Sequence, residues 1–361
     1  MKKIGLVGQV NVDNYGDVLI FYMYAKSIND LGHKCYLYNA SDKFVYRLEE
    51  LGISITNYRK LEEFIGEIDF SLFIGGGYLG RPDYSDILWQ KRWLEDKYFY
   101  NIAKSLNENG IEYRVEGVEV GPGLKPFVHK YVSEILSNAK NVCVRNSQSL
   151  QYIIENFKNI NAEFVPDIVL SIDRFFPRVM TPFKNREYDL CIHVSGKVFG
   201  ENFLSKNYRK LISKFVNQNK IRSVMVLSDQ KIKSEHLPAI HDFVSEVKNC
   251  KVDIVDYNGI ASIIDNVIRC KTVITSKLHL GVTGLVYGCN SVCIGSHPKL
   301  KRFYQEIGYG ENYINFYSFS GGLKYRAIYR TAFDIKMELP VEQKEGSLKY
   351  FKRLEQLIEE H

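Results

Sequence analysis

Short apolar runs, each ending on glycine or a polar residue, alternate with helical stretches along nearly the whole chain. This alternation limits the possible folds more than any other feature. "KIGLVG" reads as a buried strand, "GDVLIFYMYAKSINDLG" as a helix closed by Gly32, and "KCYLYNA" as a second strand. "DFSLFIGGG" is a strand running into three glycines, "WQKRWLEDKYFYNIAKSLNENG" is helical, and "IEYRVEGVEVGPG" returns to strand and turn. "KNVCVRN" as a strand, a helix from Ser147 to about Asn156, and "AEFVPDIVLSI" complete this half.

A stretch without periodicity, "DRFFPRVMTPFKNRE", reads as a linker over 173–187. The alternation then restarts. "YDLCIHVSG", "SVMVLSD", "KVDIVD", "KTVIT" and "NSVCIG" are strands, with helices near 203–217, 233–247 and 259–268 and another after Thr275. The tail "GSLKYFKRLEQLIEEH" is an amphipathic helix with Leu348, Phe351, Leu354, Leu357 and Ile358 on one face. The expected class is therefore α/β. Two Rossmann-like, doubly wound domains span 1–172 and 188–320, and 321–361 forms a C-terminal extension with a helix. In such folds ligands bind beyond the carboxyl ends of the strands, so the cleft between the two domains is the expected site.

Composition narrows the partners. The 361 residues carry a net charge of +6, spread along the chain in Lys-rich segments that alternate with acids. No nucleic-acid footprint stands out; the mild basicity suits anionic ligands or peripheral contact with a membrane surface. The N-terminal apolar run is too short for a signal peptide, and no run approaches the roughly 18 residues of a membrane span, so the expected location is cytoplasmic. Seven scattered cysteines without a CxxC pair read as buried thiols in a reducing compartment, and no metal site is expected.

The loops after strands hold the chemistry-bearing residues. "GQVNVDNYGD" places Asn11, Asp13, Asn14, Gly16 and Asp17 in one loop. It matches neither the GxGxxG fingerprint nor a Walker loop, and reads either as a helix start favoured by Asp17 or as a polar binding loop. Gly75, Gly76 and Gly77 let the backbone approach a ligand or offer N–H groups to an anion, where a tight turn needs only one or two glycines. "EGVEVGPG" carries Glu116 and Glu119. "CVRNSQS" sets Arg145 beside a helix start, as an anion site or as an interdomain salt bridge. His193, in an apolar strand, reads first as a satisfied core residue.

"TSKLHL" is the most informative loop. With Ser276 as N-cap, Lys277 and His279 are the first and third helical residues. Two cations against a helix dipole are each unfavourable by a few tenths to about 1 kcal/mol, and a bound phosphate or carboxylate reverses that sign. The plainer reading turns both side chains away towards surface acids.

In order, "NVDNYGDVLI", "FIGGGYLG", "GVEVGPG", "VRNSQS", "VPDIVLS", "SKLHLGVTGLVYG" and "KLKRFYQEIG" make the chain resemble the polysaccharide pyruvyl transferase family over most of residues 1–310. Three places depart from the family pattern. Lys277 stands where Arg is usual, Val12-Asp13 where Gly-Asn is common, and Asn146 where Asp is usual. Lys keeps the charge but not the bidentate geometry.

The resemblance implies a glycosyltransferase-B-like transferase that uses phosphoenolpyruvate as donor substrate, with no resident cofactor, and places a pyruvate ketal on a sugar of a capsule, exopolysaccharide or cell-wall precursor. The acceptor would be a lipid-linked or nucleotide-linked saccharide at the inner membrane face. The first domain would then be the acceptor side and the second the donor-anion side. Ser276, Lys277, Leu278 and Arg145 would hold the donor. Asp13, Asn14, Gly16 and Gly75–Gly77 would line the substrate site. His279 would act as general acid or steady the departing phosphate, and Asp13, Asp17 or Glu119 would accept hydroxyl protons. Two other readings stay open: a glycosyltransferase using a sugar nucleotide, with Asp256 as ribose partner, and an inert binding or assembly protein on the same fold.

Overall fold

The structure is a computed structural model and describes residues 1–11, 14–80, 97–122, 124, 126–219, 221–318 and 321–360. The chain divides into two compact units, one of Met1–Ser171 with Glu342–His361 and one of Ile172–Val341.

The first unit is built on β1 (Lys3–Val7), β2 (Lys34–Tyr38), β3 (Ile55–Tyr58), β4 (Phe70–Ile74), β6 (Glu112–Val118), β8 (Val142–Val144) and β9 (Ala162–Phe164), with β5 (Leu79–Gly80) and β7 (Val120–Gly121) forming a separate short ladder. All pairings are parallel, in the order β3-β2-β1-β4-β6-β8-β9. Because a parallel sheet is covered on both faces, β1 and β4 are near-continuous apolar runs. The second unit repeats the plan with β10 (Tyr188–His193), β11 (Ser223–Leu227), β12 (Lys251–Val255), β13 (Cys270–Thr275), β14 (Asn290–Gly295) and β15 (Tyr313–Asn315), all parallel, in the order β12-β11-β10-β13-β14-β15.

Counting each sheet's own strands along the chain, both run third, second, first, fourth, fifth, sixth, and the first sheet adds a seventh. This is the doubly wound order whose switch point lies between the first and fourth strands. Those neighbours are β1 and β4 in one unit and β10 and β13 in the other. The class expected from the alternation is the one observed.

Two strands carry too weak a pattern to read from sequence. β3 and β15 are short edge strands, and β3 is only half-buried, so alternation hardly marks them. The closing segment "AEFVPDIVLSI" is a strand only over Ala162–Phe164; beyond Pro166 it becomes a 3-10 turn over Ile168–Arg174. The expected helix before Asn109 is described over Tyr98–Glu108, and its earlier part lies outside the described residues.

Residues 173–187 belong to the second unit and do not stand apart as a linker. Arg186 explains why: it is buried and donates to the carbonyls of Cys270 (2.8 Å) and Tyr287 (2.6 Å). The C-terminal helix Lys349–Glu360 belongs to the first unit. It buries Tyr350, Phe351, Leu354 and Leu357, while Leu348 lies just before the helix and is partly exposed. The Tyr350 hydroxyl donates to the Val165 carbonyl (3.0 Å), and Arg353 reaches Glu116 (2.8 Å) and Glu163.

Six of the seven cysteines are buried and all are unbridged. Among the described residues no helix is long and apolar enough to cross a membrane.

Candidate active site

At the switch point of the second unit, the chain leaves β10 through Val194–Lys197 and leaves β13 through Ser276–Lys277. Between these loops opens a cavity of about 790 Å³. Its wall includes Lys197, Lys231, Lys233, Lys277 and Lys299, together with His236 and His297, against one acid, Glu235. Ser195 also lines it, and among the described residues its hydroxyl has no hydrogen-bond partner. Phe203, 74% exposed, and Tyr317, 50% exposed, add apolar surface to the wall. Such a surface suits an anionic ligand with a less polar body.

The helix after β13 is Leu278–Val286, and Lys277 is its N-cap rather than Ser276. The Thr275 hydroxyl takes the turn by accepting from the Lys277 N–H (2.9 Å), which sets the helix one residue later than the sequence suggested. No side chain caps this helix. Ser276, Lys277 and Leu278 all line the cavity. His279 is half-buried in the first turn and is not one of the lining residues.

Lys277 is tied to a residue that the sequence reading passed over. Its ammonium lies 3.7 Å from Asp229 Oδ2, and Asp229 Oδ1 lies 2.9 Å from His193 Nε2. Asp229 and His193 are both fully buried. Burial would raise the Asp229 pKa, but His193, with Lys277 adding to it, holds it down at about 2. Asp229 is therefore a carboxylate that steadies the cavity's cation from behind. His193, expected as a satisfied core residue, is satisfied on one ring nitrogen only: among the described residues Nδ1 has no partner. Asp229 and the lysines after it follow β11, the neighbour of the switch strand, so a reading of every strand end would have found them. Asp256 accepts from the backbone N–H groups of Ile232 and Tyr257 (both 2.8 Å), shaping its own loop.

In the first unit the switch-point loops are built differently. Asn14 is the N-cap of the helix Tyr15–Asp30, accepts from the Asp17 N–H (3.1 Å), and joins the Asp17 side chain. Gly16 is buried in that first turn. Asn14 and Asp17 thus serve the helix start, while Asp13 lies outside the described residues. Gly75 and Gly76 have φ of +53° and +81°, and a Cβ on Gly75 would lie 2.8 Å from Ile20. Backbone conformation and packing therefore account for these two glycines. A Cβ on Gly77 would sit 3.4 Å from the Glu119 carboxylate, so Gly77 and Glu119 share one corner.

Arg145 is spent inside this unit. Its guanidinium reaches Glu119 (3.4 Å) and Asp167 (3.3 Å), with all three side chains buried. The structure places Arg145 in a buried ion cluster, because the residue after β8 faces the acids at the ends of its neighbours. The sequence signal was available: "VPD" supplies a second acid one strand away.

The family model for polysaccharide pyruvyl transferase matches residues 14–298. The chain belongs to the polysaccharide pyruvyl transferase family. No curated protein matches it by sequence. Among solved structures it is similar to the UDP complex of MnaA from S. aureus, with 8% identity over 99% of this chain and 97% of that one and a TM-score of 0.65. The UDP-GlcNAc 2-epimerase from Methanocaldococcus jannaschii gives 12% identity, full coverage of both chains and a TM-score of 0.61. Sucrose-phosphate synthase from Thermosynechococcus elongatus gives 10% identity over 100% of this chain and 99% of that one, with a TM-score of 0.54. At these identities the likeness concerns the fold, which is glycosyltransferase-B-like. This family member therefore joins a transferase family on a fold shared with sugar-nucleotide enzymes. Its strand-end loops from β2 to the turn after β14 lie within the matched range, and β1 and β15 lie outside it.

Proposed function

We propose that the protein transfers the pyruvyl group of phosphoenolpyruvate onto a saccharide of a capsule, exopolysaccharide or cell-wall precursor, forming a pyruvate ketal. One observation carries the reading: the cavity at the second switch point faces its ligand with five lysines and one acid. A donor bearing phosphate and carboxylate on three carbons needs that excess of cations. Lys277, at the N-cap of an uncapped helix, offers it a side-chain charge beside the helix's N–H groups.

In this reading the donor's methylene carbon takes a proton and one sugar hydroxyl attacks its central carbon. Phosphate leaves, and the second hydroxyl closes the ketal. One hydroxyl proton is balanced by the new methyl group and the other by the departing phosphate. His279, in the same first turn as the anion site, is assigned as proton donor to carbon or as support for the leaving phosphate. Glu119 and Asp17 are its candidate counterparts on the acceptor side. The acceptor is a lipid-linked or nucleotide-linked saccharide, brought to the inner membrane face by its lipid where it has one.

A cavity of about 790 Å³ exceeds what a three-carbon donor fills, which favours one second reading, a sugar nucleotide as donor. Incubation with phosphoenolpyruvate and an acceptor panel is expected to release inorganic phosphate and produce a ketal methyl signal by NMR. Release of free nucleotide from a sugar nucleotide, without phosphate release from phosphoenolpyruvate, would establish the glycosyltransferase instead. An inert protein would show neither. It would also lack the thermal stabilisation of roughly 2.7 kcal/mol that a specific ligand confers at 100 times its dissociation constant.

A further inference from the structure

Away from the lysine-lined cavity, the second unit holds a smaller one of about 400 Å³, lined by Glu311, Asn315, Ser318, Lys324, Arg326 and Arg330 among others. It lies wholly beyond residue 298, where the family match ends. Lys324 is 8% exposed. Among the described residues it has no hydrogen-bonding or ionic partner, and its ammonium rests 4.0 Å from the centre of the Tyr208 ring.

An aromatic face offsets only part of what a cation loses when its side chain leaves water. The ammonium is thus short of a counter-charge, and burial lowers its pKa accordingly. Glu311, the acid in the wall, is already paired with Arg330. Arg326 is exposed, so three cations face one committed acid.

We propose that this cavity is a second anion site, taking a small phosphate-bearing ligand with Lys324 as its buried counter-charge and Arg326 at its rim. A phosphate supplies the acceptors that Lys324 lacks, and a guanidinium suits its oxygens. An aromatic pair runs from this site towards the first one. Tyr208 stacks on Phe316 (5.3 Å between centres, 11° between planes), and Lys197 rests 4.3 Å above Phe316 in the wall of the larger cavity. Lys324 and Lys197 therefore each rest on one ring of the same aromatic pair, one cation in each cavity.

The test is a thermal-shift titration of the full chain carrying Lys277→Met, which removes one of the first cavity's five lysines. Inorganic phosphate and glucose 6-phosphate are compared with chloride at equal ionic strength. A saturable rise with either phosphate, lost in Lys277→Met/Lys324→Met and kept in Lys277→Met/Lys324→Arg, is the expected result. A rise with glucose 6-phosphate alone identifies a phosphate ester as the ligand. No rise beyond chloride, or a rise that survives Lys324→Met, overturns the proposal. Tungstate soaked into crystals of the unaltered protein gives a check free of variants: an oxyanion within hydrogen-bonding reach of Lys324 Nζ supports the site, and tungstate bound elsewhere only overturns it. None of these readouts depends on pyruvyl transfer.

Discussion

Asp229 is the residue whose environment says most about the site. A buried carboxylate behind a lysine-lined cavity would repel an anion if it stood alone, and here it is hydrogen-bonded to His193 and faces Lys277. Its depressed pKa, about 2, lies below the ordinary 3.8. The resulting stability is therefore fully present above about pH 4 and is lost as pH falls towards 2, roughly 2 kcal/mol in all. Asp229→Asn should remove that acid-dependent part, measured as the difference between urea unfolding of the two proteins across that pH range. If Asp229 positions Lys277, the same variant should also lower kcat/KM for phosphoenolpyruvate by about tenfold, chiefly through KM. Unchanged donor binding would remove that positioning role, and tighter binding would show that the carboxylate repels the ligand.

Elements place these residues, and their own demands explain residues that resembled site chemistry. Gly75 is a case in point. Its positive φ and the 2.8 Å approach of Ile20 leave no room for a side chain. Gly75→Ala should destabilise the first unit by about 1–3 kcal/mol, read by chemical denaturation, whatever its effect on turnover. Arg145 teaches the same lesson for charge. Arg145→Met leaves Glu119 and Asp167 buried without their cation, and a loss of about 3–5 kcal/mol is expected in the same measurement. By contrast, His279→Ala should abolish turnover while leaving the unfolding curve in place; retained activity would remove His279 from the mechanism.

At the scale of the whole molecule, the last helix returns to the first unit, and Arg353 joins Glu116 there. Glu116 is fully desolvated, and burial raises its pKa despite Arg353. Arg353→Met should therefore destabilise the protein by about 3–5 kcal/mol, and deletion of residues 342–361 by more, both measurable as a lower Tm. The sequence by itself determined the class of fold, the two parallel sheets and the polar loops at the strand ends, because period and strand-end polarity are local properties of the chain. It also carried the family, through motifs kept in order. Only the tertiary structure decided which of those polar residues line a cavity. Arg145 and Lys277 look alike in sequence, each a cation between a strand and a helix. One meets two buried acids from distant segments, and the other lines a cavity with four further lysines. Charge compensation depends on neighbours in space, and residues 22, 26 or 48 positions apart become neighbours only when the sheet forms.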